Sequence, residues 1–200
     1  MRRARGFTLI EVLVTLFVVA VGLLSVAGLQ AISKKVNYDA VQRTTATALA
    51  LSIVERMRAN PDQLLAYVTS DAGTATGSID CSAAAAACTP EQVAAFDLTT
   101  WADALEGTSV TADGDNAGGL VEPTGCVFAT AQPGLYVVAV AWRGITGVDA
   151  PGNDDPADDP ARNACGNGLG RYDDPRETGA DDRLRRVVVM NVIVADPYAA

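Results

Sequence analysis

The residues best placed to do chemistry stand near the start of the chain, where a carboxylate borders an apolar run. Met1 to Gly6 is a short basic leader, and Phe7-Thr8-Leu9-Ile10-Glu11 leads into an uncharged run from Val12 to Leu29. A charge at the centre of a bilayer costs roughly 2.5–3.5 kcal/mol on insertion scales, so an acidic residue in a membrane-length apolar stretch indicates a function. Glu11 is therefore the first candidate site residue.

This N-terminal segment resembles that of a type IV prepilin, because GFTLIEVLV follows an Arg-rich hexapeptide. The resemblance implies that a prepilin peptidase cleaves between Gly6 and Phe7 and then N-methylates Phe7. It also implies that Glu11 acts in assembly by meeting the terminal amine of a neighbouring subunit. By the positive-inside rule, the basic leader keeps the N-terminus in the cytoplasm. An uncleaved signal anchor, or a secretory signal cut near Ser25-Val26-Ala27, is the alternative.

Composition argues against several classes of function. The chain has 24 acidic and 15 basic residues, and its formal net charge of −9 would become −12 if Arg2, Arg3 and Arg5 were removed with the leader. Such an acidic surface repels phosphates, so we expect no direct nucleic acid binding. The absence of histidine removes the commonest general base and the commonest transition-metal ligand. We predict no enzymatic activity, no cofactor and no metal site.

Acidic pairs are numerous, but their context is that of polar loops. Asp154-Asp155, Asp158-Asp159, Asp173-Asp174 and Asp181-Asp182 lie in Pro- and Gly-rich sequence. We interpret them as solvated loop charges. Calcium binding stays open as an alternative for the acidic loop 147–182 and for two strings with hard oxygen ligands, Asp113-Gly114-Asp115-Asn116 and Asn153-Asp154-Asp155. Neither string fits an EF-hand loop.

The four cysteines all lie beyond the apolar run. None forms a CxxC pair, and without histidine a zinc site would need all four thiolates at awkward spacing. Disulfides fit better, because the C-terminal part of such a chain faces an oxidising compartment. Four cysteines permit three connectivities. We favour the sequence-local pair Cys81–Cys88 and the longer pair Cys126–Cys165, which would tether the acidic loop.

These candidate residues must be positioned by one long helix, predicted from Phe7 to about Arg58. Its first half is apolar all round, as lipid or a fibre core requires. Its second half is amphipathic, with apolar residues at near-helical spacing. Asn60-Pro61 ends it, because the residue before a proline is pushed out of the helical region. The helix would be about 75 Å long, so we expect half of it to protrude from the head.

The rest of the chain predicts an α+β head. Residues 61–87 are predicted to be a loop region with one short helical turn. A second helix begins with Thr89 as its N-cap and Pro90 at its first position, and it ends at Gly107. Its core face is predicted to consist of Ala94, Leu98, Trp101 and Leu105.

Strand patterns follow that helix. Residues 126–131 and 135–143 are predicted to form a β-hairpin around a turn at 132–134. The bulky face of its second arm would pack on the helix, through Tyr136, Val138, Val140 and Trp142. Arg185 to Ala195 is rich in β-branched residues and predicts a further strand. The order of elements favours an antiparallel sheet packed on the C-terminal half of the long helix.

The wider pattern resembles the PilV group of minor pilins. The shared features are a helix end LSIVERMRANP, paired cysteines before a D-x3-W helix, a strand GLYVVAVAWRG and a C-terminal RRVVV strand. The resemblance implies a pilin-like α+β fold in which a long N-terminal helix packs on a small antiparallel sheet head with disulfides. Its parts would be a leader (1–6), a transmembrane or fibre-core helix half (7–30), an amphipathic helix half (31–60) and a globular periplasmic or extracellular head (61–200).

This organisation predicts a non-enzymatic minor pilin that helps initiate assembly at or near the tip of a type IV pilus. Its partners would be other minor and major pilins, through the N-terminal helix, and the prepilin peptidase. It would first cross the inner membrane once, with its head in the periplasm, and then reach the cell-surface pilus. Two alternatives stay open: a pseudopilin of type II secretion, and an adhesin or binding module displayed by the pilus.

Overall fold

Helix α1 spans Leu9–Ala59 in the computed structural model of the chain, close to the predicted range. The structure describes residue 6 and residues 8–77, 79–83, 87–148, 159–176, 178–179 and 182–194, so the predicted helix start at Phe7 lies outside the described residues. The chain divides into two units, residues 1–40 and 41–200.

In the first unit, every residue of α1 from Leu9 to Lys34 is exposed. The most apolar 18-residue window of the helix has a mean hydropathy of 2.7, and none of that window is buried. Within the described part of the chain, α1 is the one helix that is long and apolar enough to cross a membrane. The predicted apolar half of the long helix is therefore confirmed.

In the second unit, α1 buries one stripe of side chains, which consists of Gln42, Ala46, Ala50, Ile53, Val54 and Met57. The helix ends before Asn60-Pro61, as predicted. The next segment differs from the prediction of a loop with one helical turn, since two 3-10 helices form at Pro61–Tyr67 and Ala72–Thr74. Pro61 favours the first because its ring presets the backbone angle φ. The Asp71 side chain caps the second by accepting a 2.9 Å hydrogen bond from the Gly73 amide.

Helix α2, Pro90–Glu106, begins and ends where the sequence predicts. Thr89 and Gln92 form a reciprocal capping box at its start. Gly107 ends it in the left-handed conformation, with a φ of 69°, which costs little without a Cβ. The predicted core face is buried, and it consists of Ala94, Leu98, Trp101 and Leu105.

The main sheet has the antiparallel order β3-β4-β5, formed by Thr124–Ala129, Leu135–Arg143 and Arg185–Ile193. These strands confirm the predicted hairpin and final strand, although the predicted end at Ala195 lies outside the described residues. A small hairpin, β1 (Thr111–Ala112) with β2 (Asp115–Asn116), precedes them and was not predicted.

Each face of the main sheet packs against a different part of the head. The face with Tyr136, Val138, Val140 and Trp142 shares one hydrophobic core with α2 and the buried stripe of α1, as predicted. The opposite face packs against the long loop that precedes β5. This second core consists of Cys126, Ala139, Ala141, Cys165 and Tyr172. The loop therefore forms a layer over the sheet, which the sequence did not reveal.

Candidate functional site

The predicted cleavage junction is exposed at its described residue, Gly6. A Cβ built on Gly6 would meet no atom of the described residues within 4 Å, its chain neighbours aside, so packing against them does not require a glycine there. Phe7, the residue predicted to become the methylated terminus, lies outside the described residues.

Thr8 caps the start of α1, a role that our sequence analysis missed. The Glu11 amide donates to the Thr8 carbonyl at 3.1 Å and lies 3.4 Å from the Thr8 hydroxyl oxygen. The spacing Thr-x-x-Glu before an apolar run is the sequence signature of a capping box and could have identified Thr8. The cap fixes Glu11 in the first turn of the helix, where a carboxylate is favoured by the helix dipole.

Glu11 is exposed and stands at one end of a long uncharged surface. The 22 residues from Val12 to Ser33 carry no charged side chain, and all of them are exposed. At 1.5 Å per residue they extend for about 33 Å. Exposed apolar surface on this scale requires lipid or other helices to cover it.

A buried polar cluster in the head joins α1 to α2 and to the first 3-10 helix. The Arg56 guanidinium donates to Asp97 Oδ1 at 2.7 Å, and the Tyr67 hydroxyl donates to Asp97 Oδ2 at 2.6 Å. Burial and the hydrogen bond to Asp97 raise the pKa of Tyr67, so the hydroxyl remains protonated. Asn60 donates to the Pro90 carbonyl at 2.8 Å. These groups satisfy one another, which is the arrangement of a structural cluster.

The cysteines form the disulfides Cys81–Cys88 and Cys126–Cys165, the pairs that the sequence favours. The second disulfide joins β3 to the long loop, and both of its cysteines are buried. Next to it, the Tyr172 hydroxyl lies 2.7 Å from the Thr124 hydroxyl and donates to the Glu122 carbonyl at 3.0 Å. Burial raises the pKa of Tyr172 to about 12.

Two arginines from the sheet hold the same loop through its backbone. Arg185 donates to the carbonyls of Ala161, Asn163 and Cys165 at 2.6, 2.8 and 3.0 Å. Arg143 donates to the Arg171 carbonyl at 2.8 Å and pairs with Glu122 at 3.0 Å. No local sequence signal predicts these contacts, because the partners lie far apart along the chain.

The interpretation of the acidic pairs as solvated loop charges is incomplete, because each of their four described members accepts a hydrogen bond from a backbone amide: Asp159, Asp173, Asp174 and Asp182. Asp173 Oδ1 accepts from the Asp182 amide at 3.1 Å, and Asp182 Oδ2 accepts from the Gly168 amide at 2.7 Å. These carboxylates shape the loop, because they satisfy backbone donors that a turn leaves without partners. Residues 149–158, which hold Asp154-Asp155 and Asp158, lie outside the described residues.

The strings considered for calcium have a simpler structural role where the structure describes them. Asp113 and Gly114 form the turn of the β1–β2 hairpin, with φ values of 54° and 94°. Asp-Gly is a strong signal for such a turn, and it could have predicted the hairpin. No group of three or more acidic or cysteine side chains in the described residues could hold a metal ion. Asn153-Asp154-Asp155 lies outside those residues.

Comparison with protein families gives two matches that adjoin along the chain. A model of the prokaryotic N-terminal methylation motif matches residues 1–27, and a family model described as type IV pilin Tt1218 matches residues 28–99. Searches of curated proteins and of solved structures found no match. The matched segments contain the prepilin-like junction, all of α1 and the first part of α2. With the long apolar helix, the small antiparallel sheet and the two disulfides, these matches make the chain similar to type IV pilins, a family of structural subunits.

Proposed function

We propose that this chain is a type IV pilin, and that it is a non-enzymatic minor subunit that helps initiate assembly at or near the tip of the pilus. The observation that carries the proposal is the position of Glu11, exposed in the first turn of a helix whose next 22 residues are uncharged and exposed. A helix of this kind is suited to leave lipid and enter a bundle of like helices. The Glu11 carboxylate then supplies a charged contact at the end of this apolar surface.

Processing would create the partner for this carboxylate. The prepilin peptidase cleaves between Gly6 and Phe7 and methylates the new amine at Phe7. The exposure of Gly6, and the open space around it, support access to the backbone at this point. Cleavage also removes Arg2, Arg3 and Arg5, so the cationic anchor of the leader is lost before the subunit leaves the membrane.

In the fibre, Glu11 pairs with the Phe7 amine of a neighbouring subunit. Buried opposite charges fix register more convincingly than they add stability, whereas loss of one partner leaves an unpaired charge at a cost of about 3–5 kcal/mol. Within a single chain the amine and the carboxylate are four residues apart, so they can partly neutralise each other in the membrane. When Glu11 exchanges the amine of its own chain for that of a neighbour, the new pair forms only if the two subunits are in the correct register.

The minor role and the position near the tip rest on the PilV-like features of the head. The partners are then other minor and major pilins, met through the N-terminal helix. The functional division follows the leader (1–6), the membrane or fibre-core half (7–30), the amphipathic half (31–60) and the head (61–200). Before assembly the N-terminus is cytoplasmic and the head is periplasmic.

Substitution Glu11→Ala tests this function. We expect the variant to be inserted and cleaved normally, but to enter or initiate fibres poorly, because the neighbour's amine would stay unpaired in an apolar core. Immunoblots for processing, counts of surface pili and mass spectrometry of sheared fibres measure the three steps. Asp39→Ala is the matched control, since Asp39 is a carboxylate on the same helix beyond the uncharged run.

The outcomes separate the roles of Glu11. Accumulation of uncleaved precursor would assign Glu11 to recognition by the peptidase. Normal cleavage with normal piliation and incorporation would remove its assembly role. Absence of the wild-type protein from sheared pili, together with a requirement for it in protein secretion, would instead indicate a type II secretion pseudopilin. A loop-deletion strain that makes pili but no longer attaches to cells would indicate an adhesin.

A further inference from the structure

We propose that Lys34 and Lys35 bind the phosphate groups of anionic phospholipids at the outer surface of the inner membrane, and that they set the depth of α1 before assembly. The assignment of the lysines to the outer surface rests on the proposed function, since it follows from a cytoplasmic N-terminus. The chemistry rests on the spacing, exposure and charge of α1 itself.

The spacing of charges along α1 matches the thickness of a bilayer. Between Glu11 and Lys34 the helix has 22 residues without a charged side chain. These residues extend for about 33 Å, and the hydrocarbon core of a bilayer is about 30 Å thick. When Glu11 lies at one headgroup layer, Lys34 and Lys35 therefore reach the opposite layer.

The two lysines have no anionic partner in the described chain. Lys34 is exposed and Lys35 is half-buried, and neither forms an ion pair with a described residue. Several arginines later in the chain do have carboxylate partners, among them Arg56, Arg58, Arg143 and Arg171. Although the protein is acidic, Asp39 is the one acidic residue between Glu11 and Glu55. The uncharged run of α1 therefore ends at a pair of cations in an otherwise acidic molecule.

The neighbouring residues fit the water–lipid interface. Tyr38 stands one helical turn beyond Lys34 and is half-buried. Tyrosine is enriched at this depth because its ring is apolar and its hydroxyl is polar. A lysine can lay its alkyl stem along the end of an apolar segment and keep its ammonium group among the phosphates. Lys34, Lys35 and Tyr38 together form an interfacial anchor.

An acidic surface on a neighbouring pilin is the competing partner. Residues 59–142 contain ten carboxylates and no lysine or arginine, so the head of a second subunit also offers negative charge. The bilayer explains an additional observation, namely that the lysines follow the uncharged run at a distance matching its thickness. We therefore favour the lipid, and the experiment distinguishes the two.

Lipid selectivity of the purified full chain tests the anchor. The protein is placed in nanodiscs of phosphatidylcholine mixed equally with phosphatidylglycerol, and native mass spectrometry counts the lipids that remain bound. All samples carry Arg2→Gln, Arg3→Gln and Arg5→Gln, so that leader cations do not contribute. We expect a preference for phosphatidylglycerol that falls about fivefold for each lysine replaced in Lys34→Gln and Lys35→Gln.

Two controls locate the effect. The double variant Lys34→Arg, Lys35→Arg should retain the preference because it keeps both charges. Arg43→Gln should also retain it, since Arg43 lies nine residues beyond Lys34, about 13 Å farther along the helix. A preference that survives loss of both lysines, or that Arg43→Gln abolishes equally, overturns the proposal.

The same lysine variant, examined in cells, separates the competing partner. Unchanged lipid preference together with failed incorporation into pili would assign the lysines to contact with a neighbouring subunit, and would overturn the lipid anchor. The nanodisc measurement depends neither on cleavage nor on fibre formation. A failure of the proposed function would appear in the Glu11→Ala experiment and leave the lipid result unaffected.

Discussion

At the scale of single residues, Asp97 shows how the head uses a charge inside an apolar pattern. It lies three residues after Ala94 and four before Trp101, on the face of α2 that packs into the core, and it is 7 % exposed. Its carboxylate accepts from Arg56 on α1 and from Tyr67 at the end of the first 3-10 helix. A carboxylate is tolerated at this position because both of its oxygens have partners.

We predict that Asp97→Asn lowers the free energy of unfolding by about 2–3 kcal/mol, because it leaves the Arg56 charge without its anionic partner. This loss is smaller than the roughly 3–5 kcal/mol for a fully buried pair, since the Arg56 side chain is 33 % exposed and solvent screens it. Denaturant unfolding of the full chain in detergent, followed by tryptophan fluorescence, measures the loss. Asp103→Asn, at an exposed position of the same helix, should change stability by less than about 0.5 kcal/mol. Equal losses in both variants would show that the cluster is not the cause.

At the scale of elements, α2 packs tightly against the backbone of β3 at Gly125. A Cβ at this residue would lie 2.6 Å from Leu105 Cδ1 and 2.7 Å from two carbons of the Trp101 ring. Trp101 cannot easily move, because it is buried and its indole NH donates to the Leu49 carbonyl at 2.9 Å. Glycine here permits direct contact between the helix and the strand backbone.

Gly125→Ala should therefore lower the free energy of unfolding by about 1–3 kcal/mol, as overpacking of a core does. Thermal unfolding of the full chain measures the change, and the near-ultraviolet circular dichroism of the two buried tryptophans, Trp101 and Trp142, reports any shift of α2 against the sheet. Gly147→Ala is the matched control, since its Cβ would make ordinary contacts of 3.6 Å or more. An unchanged unfolding temperature with an unchanged tryptophan signal would mean that α2 has room to adjust.

The elements also show which parts of the fold the sequence could predict. Helix α2 and the end of α1 were predictable because Thr89, Gly107 and Pro61 act on their own backbone and need no distant partner. The layer formed by the long loop was not predictable from such signals. It depends on Arg143 and Arg185, whose partners lie 20 or more residues away along the chain. Only its anchoring through Cys165 could be anticipated, from the cysteine arithmetic.

Prediction of the candidate site had a similar limit. The prepilin-like junction and Glu11 were recognisable because their signal is contiguous, from Gly6 to Leu29. The capping role of Thr8 was also predictable, because its Thr-x-x-Glu signature is local. Asp113-Gly114, considered as an alternative source of oxygen ligands, likewise predicts a hairpin turn by itself. In both places a polar residue acts on nearby backbone, so a local signal is sufficient.

At the scale of the whole molecule, the two disulfides constrain very different lengths of chain. Cys81–Cys88 closes a sequence separation of 7 residues, and Cys126–Cys165 closes one of 39. The loop-entropy estimate gives about 2.4 kcal/mol for the first and about 4 kcal/mol for the second. The second also lies in a core with Tyr172, so its removal leaves unfilled space as well as a longer free loop.

We therefore predict that Cys126→Ala with Cys165→Ala destabilises the full chain more than Cys81→Ala with Cys88→Ala, by at least about 1.5 kcal/mol. Denaturant unfolding gives the order of the two losses. Limited digestion with trypsin adds a local measurement, because removal of the long disulfide should speed cleavage after Arg171, whose carbonyl is held by Arg143. The Cys81–Cys88 variant serves as the control and should leave cleavage at Arg171 unchanged. Equal destabilisation, or equal protection of Arg171 in both variants, would show that Arg143 and Arg185 hold the loop without the disulfide.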